Sequence, residues 1–135
     1  MKQADFNGND RREGMSRLGV VEIKAFVPAK DFELSKQFYQ DMGFNLKSDG
    51  GGVAYLQVGN TSFLLQDFYN QELAENLMIH LLVEDANAWF QELTNKGLAE
   101  KYKIRITNPE TQPWRMVDFI VADPSGVLWR IGNNI

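Results

Sequence analysis

The order of apolar and polar positions divides the chain into two stretches that repeat one another. Residues 18–27 (LGVVEIKAFV) are apolar and β-branched up to Pro28 and predict a strand. Asp31 then caps a helix that runs to Met42, with Gly43 just past its end. Leu34, Phe38 and Met42 recur at i+4 and Tyr39 widens the stripe, so one helix face is buried. Three short strands follow, at 44–47, 53–58 and 62–68, joined by an SDGGG turn and a Gly59-Asn60 turn. Residues 69–76 are polar and read as a linker. The pattern then restarts with a strand at 77–83 (LMIHLLV). Asp85 caps a second helix whose apolar face carries Ala86, Trp89, Phe90 and Leu93, and Gly97 stops it. Strands are expected at 103–107, 115–121 and 127–131, with Ser125-Gly126 at the last turn.

The interval from capping Asp to stopping Gly is the same in both halves, Asp31 to Gly43 and Asp85 to Gly97. Such self-similarity implies a duplicated βαβββ unit. One unit alone leaves a face of its sheet bare. Two units can curve their sheets together around a shared hollow, with a helix outside each. The expected fold class is therefore α+β: two βαβββ modules, 18–68 and 77–132, form a curved mixed sheet around a cavity within one domain, 17–135. That concavity is the natural ligand site. Residues 1–16 are Gly/Asn-rich and aperiodic and read as a disordered arm. Met15 offers an alternative start, which makes the residues before it an upstream extension.

Composition removes several function classes. The 135 residues carry a net charge of −4 and no dense Lys/Arg stripe, so nucleic acid and an anionic membrane surface are poor partners. No cysteine is present, which excludes disulfides and thiolate chemistry. The apolar runs are too short to span a membrane, and the first residues lack the apolar core of a signal peptide. A soluble, cytoplasmic protein is expected by default. The glycines at 50–52 precede a strand, so they form a hairpin turn, whereas a phosphate loop would open a helix. No Ser/His/Asp or Cys/His arrangement is supportable, and no catalytic residue is assigned.

Three motifs carry a family resemblance. KQFYQDMGF, ending at Phe44, is similar to FY-x-x-x-LGF at the end of a first helix. VEDANAWFQEL, starting at Val83, is similar to a second-module helix entry. PWR…FIVADPSGVLWRI, from Pro113 to Ile131, is similar to PWG…F-x-F-x-DPDG-x-x-x-E. Together with the paired βαβββ layout they resemble the vicinal-oxygen-chelate superfamily of glyoxalases, bleomycin-resistance proteins and extradiol dioxygenases. The likeness covers residues 18–131.

In the metalloenzymes of that superfamily, four positions on the first and last strands of each module hold a divalent cation through His, Gln and Glu. Counting back five residues from Val27 places the first at Glu22. The same count from Val83 gives Met78, whose thioether does not suit such metals, with His80 about 6.6 Å further along the same face. The last strand of the first module offers Leu64 or Gln66, depending on register. Where the family places the closing Glu, this chain has Arg130, whose guanidinium has no electron pair to donate. The resemblance thus implies a broken ligand set, with no metal and no other cofactor. Glu22 and Arg130 are expected to face one cavity, either as an ion pair or with one of them awaiting a charged guest.

The candidate ligand-binding residues are Glu22, Tyr55, Phe63, Gln66, His80, Trp114 and Arg130. His80, the only histidine, is either a cavity contact or a strand histidine bonded to a neighbour. Arg130 faces the cavity if Trp129 and Ile131 pack on a helix. Trp114 either closes over a flat ligand or belongs to an interface or core. Tyr55 and Phe63 lie on strands expected to line the first half of the cavity. By resemblance, the leading expectation is a metal-independent protein that sequesters a hydrophobic or aromatic small molecule such as an antibiotic, as a homodimer. Three alternatives remain. One is a divalent-metal lyase, isomerase or dioxygenase using Glu22, Gln66 and His80. Another is a metal-free enzyme with Glu22 or His80 as general base. The last is a module that binds another protein.

Overall fold

The computed structural model describes residues 17–135. The expected arm at 1–16 and the alternative start at Met15 lie outside them. The element order is β1 (Phe26–Pro28), α1 (Phe32–Met42), β2 (Asn45–Gly50), β3 (Val53–Val58), β4 (Thr61–Gln66), α2 (Gln71–Asn76), β5 (Met78–Leu82), α3 (Ala86–Asn95), α4 (Leu98–Tyr102), β6 (Glu110–Gln112), β7 (Met116–Ala122) and β8 (Leu128–Asn134). Two four-stranded sheets result, in the orders β1-β4-β3-β2 and β5-β8-β7-β6. In each, the first strand of the module runs parallel to the last, and the remaining pairs are antiparallel. The fold is α+β and duplicated, as expected. Hydrogen bonding keeps the two sheets separate.

Both main helices start where the sequence places them. Asp31 accepts from the Leu34 backbone N–H and Asp85 from that of Ala88, each satisfying a donor the helix itself leaves orphaned. At the end of α1, Gly43 adopts φ 126°, a conformation that a side chain rarely tolerates. Phe38, Tyr39 and Met42 are buried beneath α1, while Leu34 stands half out of the stripe at 38 % exposure. Ala86 and Leu93 are fully buried beneath α3, with Trp89 and Phe90 packed at the margin of the core.

Four local expectations need correction. The first strand is far shorter than residues 18–27. Its register is fixed by Phe26 opposite Leu64 and Val27 opposite Leu65, so earlier residues soon run past Thr61, where β4 begins. Leu18, Val20, Val21 and Ile23 are consequently 78–98 % exposed. The linker at 69–76 contains α2, because Asn70 caps it by accepting from Leu73 N–H and Ala74 buries its methyl completely. A further short helix, α4, follows Gly97. Finally, residues 103–107 make only an isolated bridge, Ile106 to Val121, and the edge strand is β6. Lys103 closes α4 at φ 55°, and Pro109, with no N–H to donate, interrupts the edge before β6 pairs with Met116–Asp118.

The core lies between the modules. Tyr39, Phe44, Phe63 and Trp129 form a cluster of tilted and edge-to-face rings with centroids 4.9–5.9 Å apart. Val127, just before β8, and Trp129 and Ile131 on it are buried, and the alternate residues Leu128 and Arg130 are half-buried. This period-two pattern turns Arg130 to the open face of the second sheet.

Candidate functional site

Arg130 lies on β8 between Ile120 of β7 and His80 of β5, each its register partner. It donates from Nη1 to Asp118 Oδ2 at 3.0 Å. Asp118 lies opposite Gly132, and its carboxylate side chain is 1 % exposed. Its other oxygen accepts from Gln112 Nε2 at 2.9 Å. A Cβ at position 132 would stand 2.8 Å from the Asp118 Cβ and 3.0 Å from the Val117 carbonyl oxygen, so only glycine leaves room for this carboxylate. The Arg130 guanidinium carbon stands 5.8 Å from the ring centroid of Trp114, within cation–π range. Trp114 is 56 % exposed at the rim. A cleft of about 230 Å³ joins these groups, with Glu110, Ile120 and Thr107 on its walls. A larger hollow, about 470 Å³, lies against α1 between Asp31 and Leu46, and its walls hold no aromatic ring.

Glu22 belongs to a second group, on the open side of the first sheet. Lys24 Nζ donates to it at 2.8 Å, Tyr55 donates at 3.3 Å, and Ser62 donates from its hydroxyl. The Lys24 hydrogen bond, with that of Ser62, holds its carboxyl below the usual carboxylate range. The expected ion pair between Glu22 and Arg130 is therefore absent: each charge has another partner, and neither waits free for a guest. Gln66, at the end of β4, is half-buried and shares the Ser62 face. Phe63 and Trp129 line a cleft of about 110 Å³ together with Ile79, His80 and Leu81 at the junction of the modules. Phe63 is only 5 % exposed and packs in the aromatic core. His80 is exposed on β5 beside Arg130.

Of the seven sequence candidates, the structure thus brings Trp114 and Arg130 together, sets His80 beside Arg130 and Tyr55 beside Glu22, and puts Phe63 and His80 on one cleft. Asp118, Gln112 and Glu110 were missed. A signal for Asp118 was present, since an acidic residue inside the apolar strand MVDFIV needs a buried partner. Gln112 and Glu110 had no such signal, because the edge strand was expected elsewhere.

The sequence pattern described as the Glyoxalase/Bleomycin resistance protein/Dioxygenase superfamily matches residues 18–131. The chain belongs to this superfamily. A bleomycin resistance protein of Klebsiella pneumoniae is 27 % identical over 114 residues, which cover 80 % of this chain and 88 % of that protein. Among solved structures, a bleomycin-binding protein complexed with bleomycin superposes with a TM-score of 0.73 at 24 % identity, covering 86 % of this chain and all of the other. An antibiotic-binding protein from Streptomyces sp. CB03234 superposes with a TM-score of 0.69 at 22 % identity, covering 87 % and 98 %. At such identities the structural likeness is one of fold. Antibiotic binding thus occurs among the superfamily members this chain resembles.

The residues present do not fit the cation held by metalloenzymes of the glyoxalase superfamily. Arg130 brings a positive charge to the closing position and is tied to Asp118. Met78, at the matching position of β5, offers an exposed thioether. Glu22 is engaged by Lys24, Tyr55 and Ser62. Among the described residues no three His, Cys, Asp or Glu side chains converge. No helix among them is long and apolar enough to cross a membrane.

Proposed function

We propose that this member of the glyoxalase superfamily is a metal-independent small-molecule-binding protein of the bleomycin-resistance type, which sequesters a hydrophobic or aromatic guest such as an antibiotic. The observation that carries this reading is the exposed Trp114 ring standing beside an Arg130 guanidinium whose charge is already balanced by Asp118. A flat guest can stack on the indole, while the neutralised guanidinium and Gln112 supply oriented polar contacts. The reading is supported by the named relatives that bind bleomycin or confer resistance to it.

The protein acts as a homodimer in this reading. A cleft of about 230 Å³ falls below the roughly 300–1,000 Å³ typical of ligand pockets, so one chain encloses little of a drug-sized guest. The exposed apolar residues 18–23 and the open sheet faces give a second copy something to cover.

Metal-free bleomycin tests the proposal, together with a panel of aromatic antibiotics, by thermal shift and isothermal titration calorimetry. A guest present at about a hundred times its Kd adds about 2.7 kcal/mol of stability, a shift of several degrees in Tm. A flat response across the panel, or stoichiometric Zn, Mn, Ni or Fe in the purified protein, would overturn it in favour of the metalloenzyme reading.

A further inference from the structure

The Asp118 side chain forms part of the wall of the cleft that Trp114 and Arg130 also line. Both of its oxygens are committed, one to Gln112 and one to Arg130, and the side chain is almost completely buried. Burying a carboxylate is costly unless it is paired and hydrogen-bonded, so a residue held in this way resists reorientation. Three strands place the parts. Asp118 comes from the middle of β7, Gln112 from β6 and Arg130 from β8. Gly132, opposite Asp118, leaves the space that its Cβ requires. The guanidinium at the end of this chain of contacts lies against Trp114, which has no hydrogen bond of its own to fix it among the described residues and projects from the Pro113–Arg115 turn.

We propose that Asp118 is a positioning residue that acts through Arg130: it locks the guanidinium against the Trp114 ring and so holds that ring as a ready-made stacking platform. An unrestrained arginine samples many rotamers and loses that freedom when it is immobilised. Locking it in advance means that a guest arriving at Trp114 does not have to order the guanidinium and the indole at once. The rest of the indole, over half exposed, stays available. That Trp114 receives a guest rests on the binding function proposed above. The restraint on Trp114 does not, and it is tested without any ligand.

The test uses full-length protein labelled with 5-fluorotryptophan, whose three ¹⁹F resonances report Trp89, Trp114 and Trp129, assigned through W114F. In D118N the Trp114 resonance is expected to shift and change width, while those of Trp89 and Trp129 stay in place. In an R130M background, adding D118N is expected to move the Trp114 resonance no further, because the link is already cut. An unmoved Trp114 signal in D118N, or the same displacement with and without Arg130, overturns the proposal. Should D118N fail to fold, Q112L at the sheet edge removes one tether of the same carboxylate and is expected to broaden the Trp114 line. A line unchanged there overturns it equally. In a second arm, D118N weakens metal-free bleomycin binding by roughly three- to tenfold relative to wild type. If wild type does not bind bleomycin, the functional reading has failed, and the ligand-free spectra still decide the role of Asp118.

Discussion

A single hydroxyl ties the two modules together at Tyr39. Its O–H donates to Asp123 Oδ2, in the DPSG turn of the second module, and its oxygen accepts from Trp129 Nε1 at 2.9 Å. Asp123 also accepts from the backbone N–H groups of Ser125 and Val127. Y39F leaves two buried partners unsatisfied, each worth about 1–3 kcal/mol, so urea denaturation is expected to show a loss of about 2–6 kcal/mol at unchanged m-value. Burial pushes the Asp123 carboxyl above its ordinary value of 3.8, more than its hydrogen bonds pull it down. Because the folded value exceeds the unfolded one, the stabilising contribution of this group is fully present below 3.8 and is lost as pH rises through the raised value. Carboxyl ¹³C NMR is expected to place the Asp123 titration above that of a free aspartate. Y39F should raise it further, since the tyrosine hydrogen bond favours the charged form. A normal titration would mean that the carboxyl is better solvated than its surroundings indicate.

Strands and helices divide the aromatic residues between core and cleft, and substitution separates the two roles. Phe63 is 5 % exposed and touches three other rings, so F63A is expected to cost about 3–5 kcal/mol. Trp114 stands clear of the core, so W114A should change stability by less than about 0.5 kcal/mol while weakening a stacked guest. Equal losses of stability in both would contradict this division. At this scale the sequence was readable wherever the signal is local. The caps at Asp31 and Asp85 and the alternation along β8 needed no tertiary information. What could not be read depends on partners distant in sequence. Residues 18–25 have every property of a strand, but the register of Phe26 on Leu64 leaves them little of β4 to pair with. Phe63 lies on a strand of the right module, yet only the meeting of that strand with Trp129 decides that it fills the core. The pairing of Arg130 with Asp118 in place of Glu22 likewise depends on β7 lying next to β8, while Glu22 is bonded to Tyr55 and Ser62 of the other sheet.

The whole molecule leaves unusual apolar surface uncovered. Val20, Val21 and Ile23 are 87–98 % exposed in one short segment, and Met78 and Leu82 are more than half exposed on the open face of the second sheet. Scattered apolar residues on a surface need no explanation, but a run as exposed as this one suits a contact with another molecule. The homodimer proposed here makes a specific prediction. Light scattering coupled to gel filtration should give twice the mass of one chain. The double substitution V21D/I23D should give a monomer, because both side chains would otherwise become charged inside an interface. In the isolated chain these positions already meet water, so the same change should cost less than about 0.5 kcal/mol and leave the far-ultraviolet circular dichroism intact. A folded monomeric variant separates dimerisation from folding. It also tests whether the cleft around Trp114 needs a second copy, since a guest enclosed by two chains should bind the monomer more weakly. A wild-type protein that runs as a single chain, or a variant that still pairs, would mean that some other molecule covers this surface.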